Sequence, residues 1–304
     1  MTANGGSGGV LTAETLRAIR LIELRTRRLV NDVFAGAYHA VFKGRGMAFD
    51  TVRAYEPGDD VRDIDWNVTA RTGEPFIKRY TEERELTVML VMDASASSLF
   101  GTVNRQKRDL AAEIGAVLAY AAITNNDKVG LLVFSDQVEL LIPPRKGRTH
   151  VLRLIRDLLA VEPAHTGTDI SLALQMVNQS LRRRSIVFLI SDFLVDNKAY
   201  ERDLMVTSFR HDVVALVLSD PLEQEWPEVG MVQLRDAETG QTEWVDTAAA
   251  GWQKRFREQT SLFRQMRELA LTRAQVDRID MPVNGDYVRA LTSFFQRRQQ
   301  RLRR

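Results

Sequence analysis

The apolar pattern of this chain becomes regular at Leu86 and is irregular before it. Leu86–Met92 is an unbroken hydrophobic run, as expected of a strand buried on both faces. After it the pattern predicts a helix from about Lys107 to Thr124, a strand Val129–Phe134 and a hairpin into Val138–Ile142. Helices near Arg148–Leu159 and Ile170–Arg183 follow, then strand Ile186–Ile190, a helix near Lys198–Phe209 and strand Val213–Leu218. Strands alternating with helical periodicity predict an α/β fold: a doubly wound, mostly parallel sheet flanked by helices, with the hairpin adding one antiparallel edge.

The flanks read differently. Upstream, a Gly-rich opening is expected to be disordered. Thr12 and Glu14 supply the cap and first turn of a helix to about Val30, whose Leu16, Ile19, Leu24 and Leu29 can face a core. Between Gly36 and Arg84, Gly44, Gly46, Pro57, Gly58, Gly73 and Pro75 separate short β-like pieces such as Phe76–Tyr80. Downstream, a strand pair is expected around Val232–Leu234 and Thr242–Val245. A long helix starts near Gly251, with Trp252, Phe256, Phe263, Met266 and Ala270 on one face, a stripe read as core. Asp286–Gln300 reads as a last helix. The expected organisation is therefore an N-terminal extension over 1–85, the α/β domain over 86–250 and a C-terminal helical segment over 251–304.

Composition narrows the class only slightly. With 44% hydrophobic and 27% charged residues over 304 positions, the chain can bury a full core. The absence of cysteine excludes structural disulfides and thiolate metal sites and fits a reducing compartment, so cytoplasm is the default. No window has the run of about 18 to 20 apolar residues that a spanning helix needs, and the first residues lack a secretion-signal pattern. Net charge is +2, although Arg297, Arg298, Arg301, Arg303 and Arg304 crowd the end. A solvated terminus explains that cluster better than a nucleic-acid surface.

The chemistry concentrates where the first strand of the regular region ends. Asp93-Ala-Ser95-Ala-Ser97 places one carboxylate and two hydroxyls at the carboxyl end of a buried strand, the side on which open α/β sheets bind ligands. Such hard oxygen donors suit Mg²⁺, Mn²⁺ or Ca²⁺ rather than Zn²⁺. Two further loops offer partners, Thr166-Gly-Thr168-Asp169 before a helix and Asp192 after a strand. Alone, Asp-x-Ser-x-Ser is an ordinary turn former. Asp93, Ser95, Ser97, Thr168 and Asp192 become a ligand set only if the first strand and Ile186–Ile190 lie close in the sheet. The acidic cluster Asp59, Asp60, Asp63 and Asp65 fails as an EF-hand, because positions six and twelve would be Ile64 and Ala70. With Arg53, Arg62 and Arg71 nearby it reads as an ion-pair network, and Trp66 as a core anchor. Of the four histidines only His165 lies near a site loop, where a surface role is expected.

These motifs resemble the von Willebrand factor A-type domains, whose metal-ion-dependent adhesion site takes an Asp-x-Ser-x-Ser motif, a threonine and a second aspartate from three loops. The resemblance selects Thr168 over Thr166. Upstream, Gly44-Arg-Gly46, Phe49, Val52-Arg53, Tyr55-Glu-Pro-Gly-Asp-Asp60, Arg62, Ile64-Asp-Trp66, Ala70-Arg71 and Glu82-Glu-Arg-Glu85 resemble the signature of the bacterial family called domain of unknown function 58. Ala48 and Ala54 stand where that family often has glutamates, and Ala40 where it often has serine. Many relatives begin with transmembrane helices, so this chain reads as a short, soluble member.

The resemblance implies a non-enzymatic binding protein. Its cation would be completed by an acidic side chain from a client, and its partner would be a MoxR-type AAA+ ATPase for which it acts as adaptor or co-chaperone in protein-complex maturation. The enzymatic alternative is a metal-dependent phosphoryl-transfer hydrolase with Asp93 as nucleophile. A haloacid-dehalogenase type site needs an acid at Ser95, however, and neither a P-loop nor Gly-x-Ser-x-Gly is present. Nucleic-acid binding is the weakest reading, since net charge is near zero.

Overall fold

The computed structural model describes residues 47–82, 85–102, 105–238 and 240–302, together with Val30, Tyr38, Val41 and Phe42. The Gly-rich opening, nearly all of the helix expected up to Val30, Ala40, Gly44–Gly46, Glu83, Arg84, Arg303 and Arg304 lie outside these residues.

Two compact units are present, Phe42–Leu86 and the remainder of the chain. In the smaller unit, β1 (Met47–Ala54) pairs antiparallel with β2 (Phe76–Glu82), with a register shift between Phe49 and Thr51. The short helix α1 (Trp66–Thr72) lies between them. Its N-cap Asp65 accepts from the backbone N–H of Asn67 and Val68 at 3.0 and 3.3 Å, and Gly73 closes it at φ 80°, a left-handed conformation that suits glycine. The expected ion-pair network reduces to Arg53, whose guanidinium grips both oxygens of Asp59 at 2.7 and 2.8 Å. Asp60, like Asp65, spends its carboxylate on a cap. Trp66 is not a core anchor: it is 68% exposed, whereas Ile64 and Ile77 beside it in this unit are buried.

The larger unit is built on a six-stranded sheet. Its strands are β3 (Thr87–Asp93), β4 (Lys128–Phe134), β5 (Val138–Arg145), β6 (Ile186–Ser191), β7 (Asp212–Ser219) and β10 (Asp277–Pro282), in the spatial order β10-β7-β6-β3-β4-β5. Every pairing is parallel except the β4–β5 hairpin. The hairpin β8 (Met231–Arg235) and β9 (Thr242–Asp246) forms a separate two-stranded sheet. The fold is thus a mixed α/β one with a mostly parallel sheet between helices.

Alternate side chains of the central strands feed opposite faces. Met89, Val91, Val187 and Leu189 pack with α4 (Ile170–Ser180), α5 (Asn197–Arg210) and the end of α6 (Ala250–Arg273). Leu90 and Met92 meet α2 (Lys107–Thr124) at Gly115, where an added Cβ would come within 3.3 Å of both Met92 and Leu158 of α3 (Arg148–Ala160). The last helix, α7 (Tyr287–Leu302), packs against β10.

Two expectations need correction. The segment after Gly251 is not helical throughout, because β10 intervenes and joins the sheet parallel to β7. Its Asp-Arg-Ile-Asp-Met-Pro sequence buries only Ile279 and Met281, too few apolar positions to read as a strand. Nor is the α6 stripe core: Phe263 and Met266 are exposed beside Leu262 and Leu269, and only Ala270 of the predicted set is fully buried.

Phe188 lies in β6 with no exposure. Phe188→Ala should lower unfolding free energy by about 3–5 kcal/mol through lost burial and an uncollapsed cavity, read as a drop in the denaturant midpoint.

Candidate metal centre

The order of the strands creates the site. From β3 the chain moves outward to β4 and β5, returns to β6 on the other side of β3, then moves outward again to β7 and β10. Adjacent parallel strands whose connections leave in opposite directions open a crevice at their carboxyl ends. Here those strands are β3 and β6, with Met92 level with Ile190, so Asp93 and Asp192 emerge side by side.

Both carboxylates are nearly buried, at 5% and 4% exposure. Asp93 Oδ1 accepts from the Ser95 backbone N–H at 2.9 Å and Oδ2 from the Ser191 hydroxyl at 2.6 Å. Burial and the neighbouring Asp192 charge push the Asp93 carboxyl up to about 6, against the lowering effect of those serine hydrogen bonds. Ser95 is fully buried, and its Oγ lies 3.0 Å from Ser97 Oγ. Six oxygens around Mg²⁺ at about 2.1 Å set neighbouring ligands about 3 Å apart, so this serine pair has the spacing of one octahedral edge.

The threonine loop docks beside this motif through its backbone. Ala96 N–H donates to the Thr166 carbonyl at 3.0 Å, and Asp169 N–H to the Ser135 carbonyl beyond β4 at 2.9 Å. Asp169 then caps α4, accepting from Leu172 N–H at 2.9 Å. Thr168 is half-buried, and its hydroxyl donates to Glu238 Oε1 at 2.7 Å. His165 turns away to Glu139 at 3.2 Å. Asp93, Ser95, Ser97 and Asp192 therefore share one crevice, with the Thr166–Thr168 loop attached to it.

Several residues that complete this arrangement escaped the sequence reading. Lys107, the first residue of α2, is 1% exposed, and its ammonium donates to Asp192 Oδ2 and Glu223 Oε1, each at 2.5 Å. Burial pulls the lysine pKa down, but Asp192 and Glu223 together overcome this and raise it; burial raises Glu223 against the pull of Lys107. One signal was present: a lysine opening a helix opposes the helix dipole. Ser191, directly before Asp192, has the alternation of an ordinary strand residue and gave none.

Asp192 Oδ1 also accepts from Leu194 N–H at 3.1 Å, and the Asp192 carbonyl accepts from Arg267 at 3.2 Å. Each carboxylate oxygen has two acceptor sites, so both aspartates retain lone pairs toward the crevice. On the far side, Asp220 accepts from the backbone and hydroxyl of Thr102 at 2.9 and 2.7 Å, tethering the serine loop to the end of β7. A cleft of about 740 Å³ adjoins the site, with Phe193, Leu194, Glu223, Phe256, Phe263 and Arg267 in its wall.

A doubly wound sheet with carboxylates and hydroxyls gathered at its switch point defines the class: a mixed α/β protein with a mostly parallel sheet flanked by helices. The chain belongs to the family described as protein of unknown function DUF58, whose model matches residues 51–266. Uncharacterized protein Rv1480 of Mycobacterium tuberculosis is 36% identical over 225 residues, 73% of this chain and 71% of that protein. YeaD of Bacillus subtilis is 25% identical over 108 residues, 36% of this chain and 25% of that protein. Among solved structures, BatB from Bacteroides thetaiotaomicron matches with TM-score 0.45 and 15% identity over 71% of this chain and 99% of its own. The SpRpn10 VWA domain matches with TM-score 0.38 and 12% identity over 69% and 93%. No helix among the described residues is long and apolar enough to cross a membrane.

Removing the ammonium from between Asp192 and Glu223 leaves buried carboxylates uncompensated. Lys107→Met should cost about 3–5 kcal/mol of stability. Adding Glu223→Gln should recover part of that loss, both read from denaturant midpoints.

Proposed function

We propose that this chain is a metal-dependent protein-interaction module. Asp93, Ser95, Ser97, Thr168 and Asp192 hold Mg²⁺, or Mn²⁺ or Ca²⁺ in its place, and an acidic side chain of a client completes the coordination. The observation that carries this reading is the meeting of Asp93 and Asp192 at the β3–β6 switch point, with the Ser95 and Ser97 hydroxyls 3.0 Å apart beside them.

The donor set fits a hard cation. Its oxygens are carboxylates and hydroxyls, and its two aspartates balance a divalent charge. A near-neutral centre keeps enough electrophilicity for an incoming carboxylate to displace water. Lys107 and Glu223 form a neutral pair beside it, which fixes Asp192 without altering that balance. The cation, when bound, supplies a Lewis-acid anchor for the client's carboxylate; the chain's own residues orient it and exclude water from one side. In this reading the site binds without turnover.

We further propose that a MoxR-type AAA+ ATPase is the partner, and that the chain links it to a client as an adaptor or co-chaperone in the maturation of another protein complex, with ATP hydrolysis residing in the ATPase. Support for the partner is the family resemblance alone. The cytoplasm is the proposed site of action.

Asp93→Ala removes a charged ligand at the end of β3 and should abolish Mg²⁺ binding in calorimetry while leaving the circular dichroism spectrum intact; unchanged affinity refutes the assignment. In a pull-down with a MoxR-type AAA+ ATPase, recovery should fall when chelator replaces Mg²⁺. Equal recovery under both conditions defeats a metal-bridged interaction.

A further inference from the structure

The cleft of about 740 Å³ lies where the carboxyl ends of β6, β7 and β10 meet the middle of α6, and its volume is that of an ordinary ligand pocket. Phe193, Leu194, Trp226, Phe256 and Phe263 give it an apolar wall, in which Leu194 and Phe263 are 45% and 41% exposed. Phe193 holds φ 56°, a left-handed conformation that a bulky side chain seldom adopts, and the Ser191 hydroxyl fixes it by accepting its N–H at 3.0 Å. Such strain clusters at binding sites.

The wall also carries charge, most of it already balanced. Glu223 pairs with Lys107, while Glu268 and Asp280 both pair with Arg278, at 2.7 and 3.3 Å. The Asp236 carboxylate accepts from Glu238 N–H at 3.0 Å within the hairpin turn. Arg264 and Arg267 remain, and neither has an ion pair among the described residues. Arg267 is the more constrained of the two. Its Nη1 donates to the Asp192 carbonyl at 3.2 Å, whereas its Nε is buried and has no acceptor among the described residues. Nε and Nη2 form the edge of a guanidinium that a carboxylate can grip with two parallel hydrogen bonds. The Asp192 carbonyl leaves that edge open. Burial draws the Arg267 pKa down against a partial lift from Asp280, as expected of a cation stripped of water with no carboxylate in contact.

We propose that the cleft is a second anchor for a partner protein, receiving from it a large apolar side chain against Phe193, Trp226, Phe256 and Phe263 and, beside that, an acidic side chain on the Nε edge of Arg267. This rests on the reading of the chain as a protein-interaction module and requires no cation. Charge complementarity selects the acid: a carboxylate compensates a buried guanidinium, while a cationic or wholly apolar segment leaves it uncompensated. Arg264, one helical turn before Arg267 on α6, adds a second positive charge at the mouth. Because the guanidinium of Arg267 also holds the Asp192 carbonyl, one segment of a partner can reach the cleft and the crevice together.

The probes are three tetrapeptides, acetylated and amidated at their ends: Gly-Glu-Phe-Gly, Gly-Gln-Phe-Gly and Gly-Glu-Ala-Gly. Each is titrated into the full chain with chelator present, and binding is followed by the side-chain Nε–H resonance of Arg267, assigned by its loss in Arg267→Lys. Gly-Glu-Phe-Gly should shift that resonance to saturation. Removing its charge or its ring should each weaken binding about tenfold or more, as expected for one charge-assisted hydrogen bond or one buried aromatic side chain. Phe263→Ser, at an exposed position, should weaken the first peptide by a similar factor with an unaltered thermal midpoint. Equal affinities for the three peptides, or a resonance that none of them moves, overturns the cleft anchor whatever the variants do. Binding that appears only with Mg²⁺ and vanishes in Asp93→Ala overturns the cleft anchor and leaves the metal site standing. Discriminating binding under chelator, joined to an absence of Mg²⁺ binding in calorimetry, upholds the cleft anchor and overturns the metal site.

Discussion

Negative charge held at the ends of apolar strands is the constraint around which this protein is organised. Asp93 and Asp192 are buried and Glu223 is half-buried, burial raises the carboxyls of Asp93 and Glu223, and Lys107 is the buried cation paired with Asp192 and Glu223. Such a cluster persists only when its oxygens are occupied, because an uncompensated buried charge costs several kcal/mol. The Ser191 hydroxyl, the Ser95 and Leu194 amides and the Lys107 ammonium meet that demand. Placing Lys107 first on α2 is unfavourable for the helix alone; ion pairing to two carboxylates outweighs the dipole.

The sheet makes this cluster possible without contributing chemistry of its own. Apolar inner strands rich in Val, Leu, Ile and Phe give a support with helices on both faces, and the reversal of winding at β3 and β6 opens a crevice at their carboxyl ends. Asp93 ends the β3–β4 pairing, Asp192 lies one position past the last pairing of β6, and Ser95 and Ser97 lie two and four positions past Asp93. They inherit the precision of the strands while remaining free to present oxygens outward.

The sequence disclosed those parts of the molecule whose periodicity is undiluted. Leu86–Met92, Val129–Phe134, Ile186–Ile190 and Val213–Leu218 are buried on both faces, so their runs are continuous, and all four are strands of the central sheet. β10 was hidden because an edge strand in contact with solvent carries Asp277, Arg278 and Asp280 among its few apolar residues. The α6 stripe misled for the opposite reason: its apolar side is continuous, yet Leu262, Phe263, Met266 and Leu269 in the middle of the helix are exposed. At the site, Asp93, Ser95, Ser97 and Asp192 could be named because motif and strand end coincide. Lys107 and Glu223 could not, since each reaches its position through a tertiary contact that spans 85 residues or more.

Both borders of the main sheet are closed to extension. On one side β5 carries Pro143 and Pro144, which lack the N–H that a neighbouring strand would need; on the other, β10 places alternating charges along its length and ends at Pro282. Backbone zippering of a foreign strand, which reads little of its sequence, is thereby suppressed along the main sheet. Discrimination between visitors there falls to individual side chains, so a single residue exchanged on either partner can rewire who is admitted.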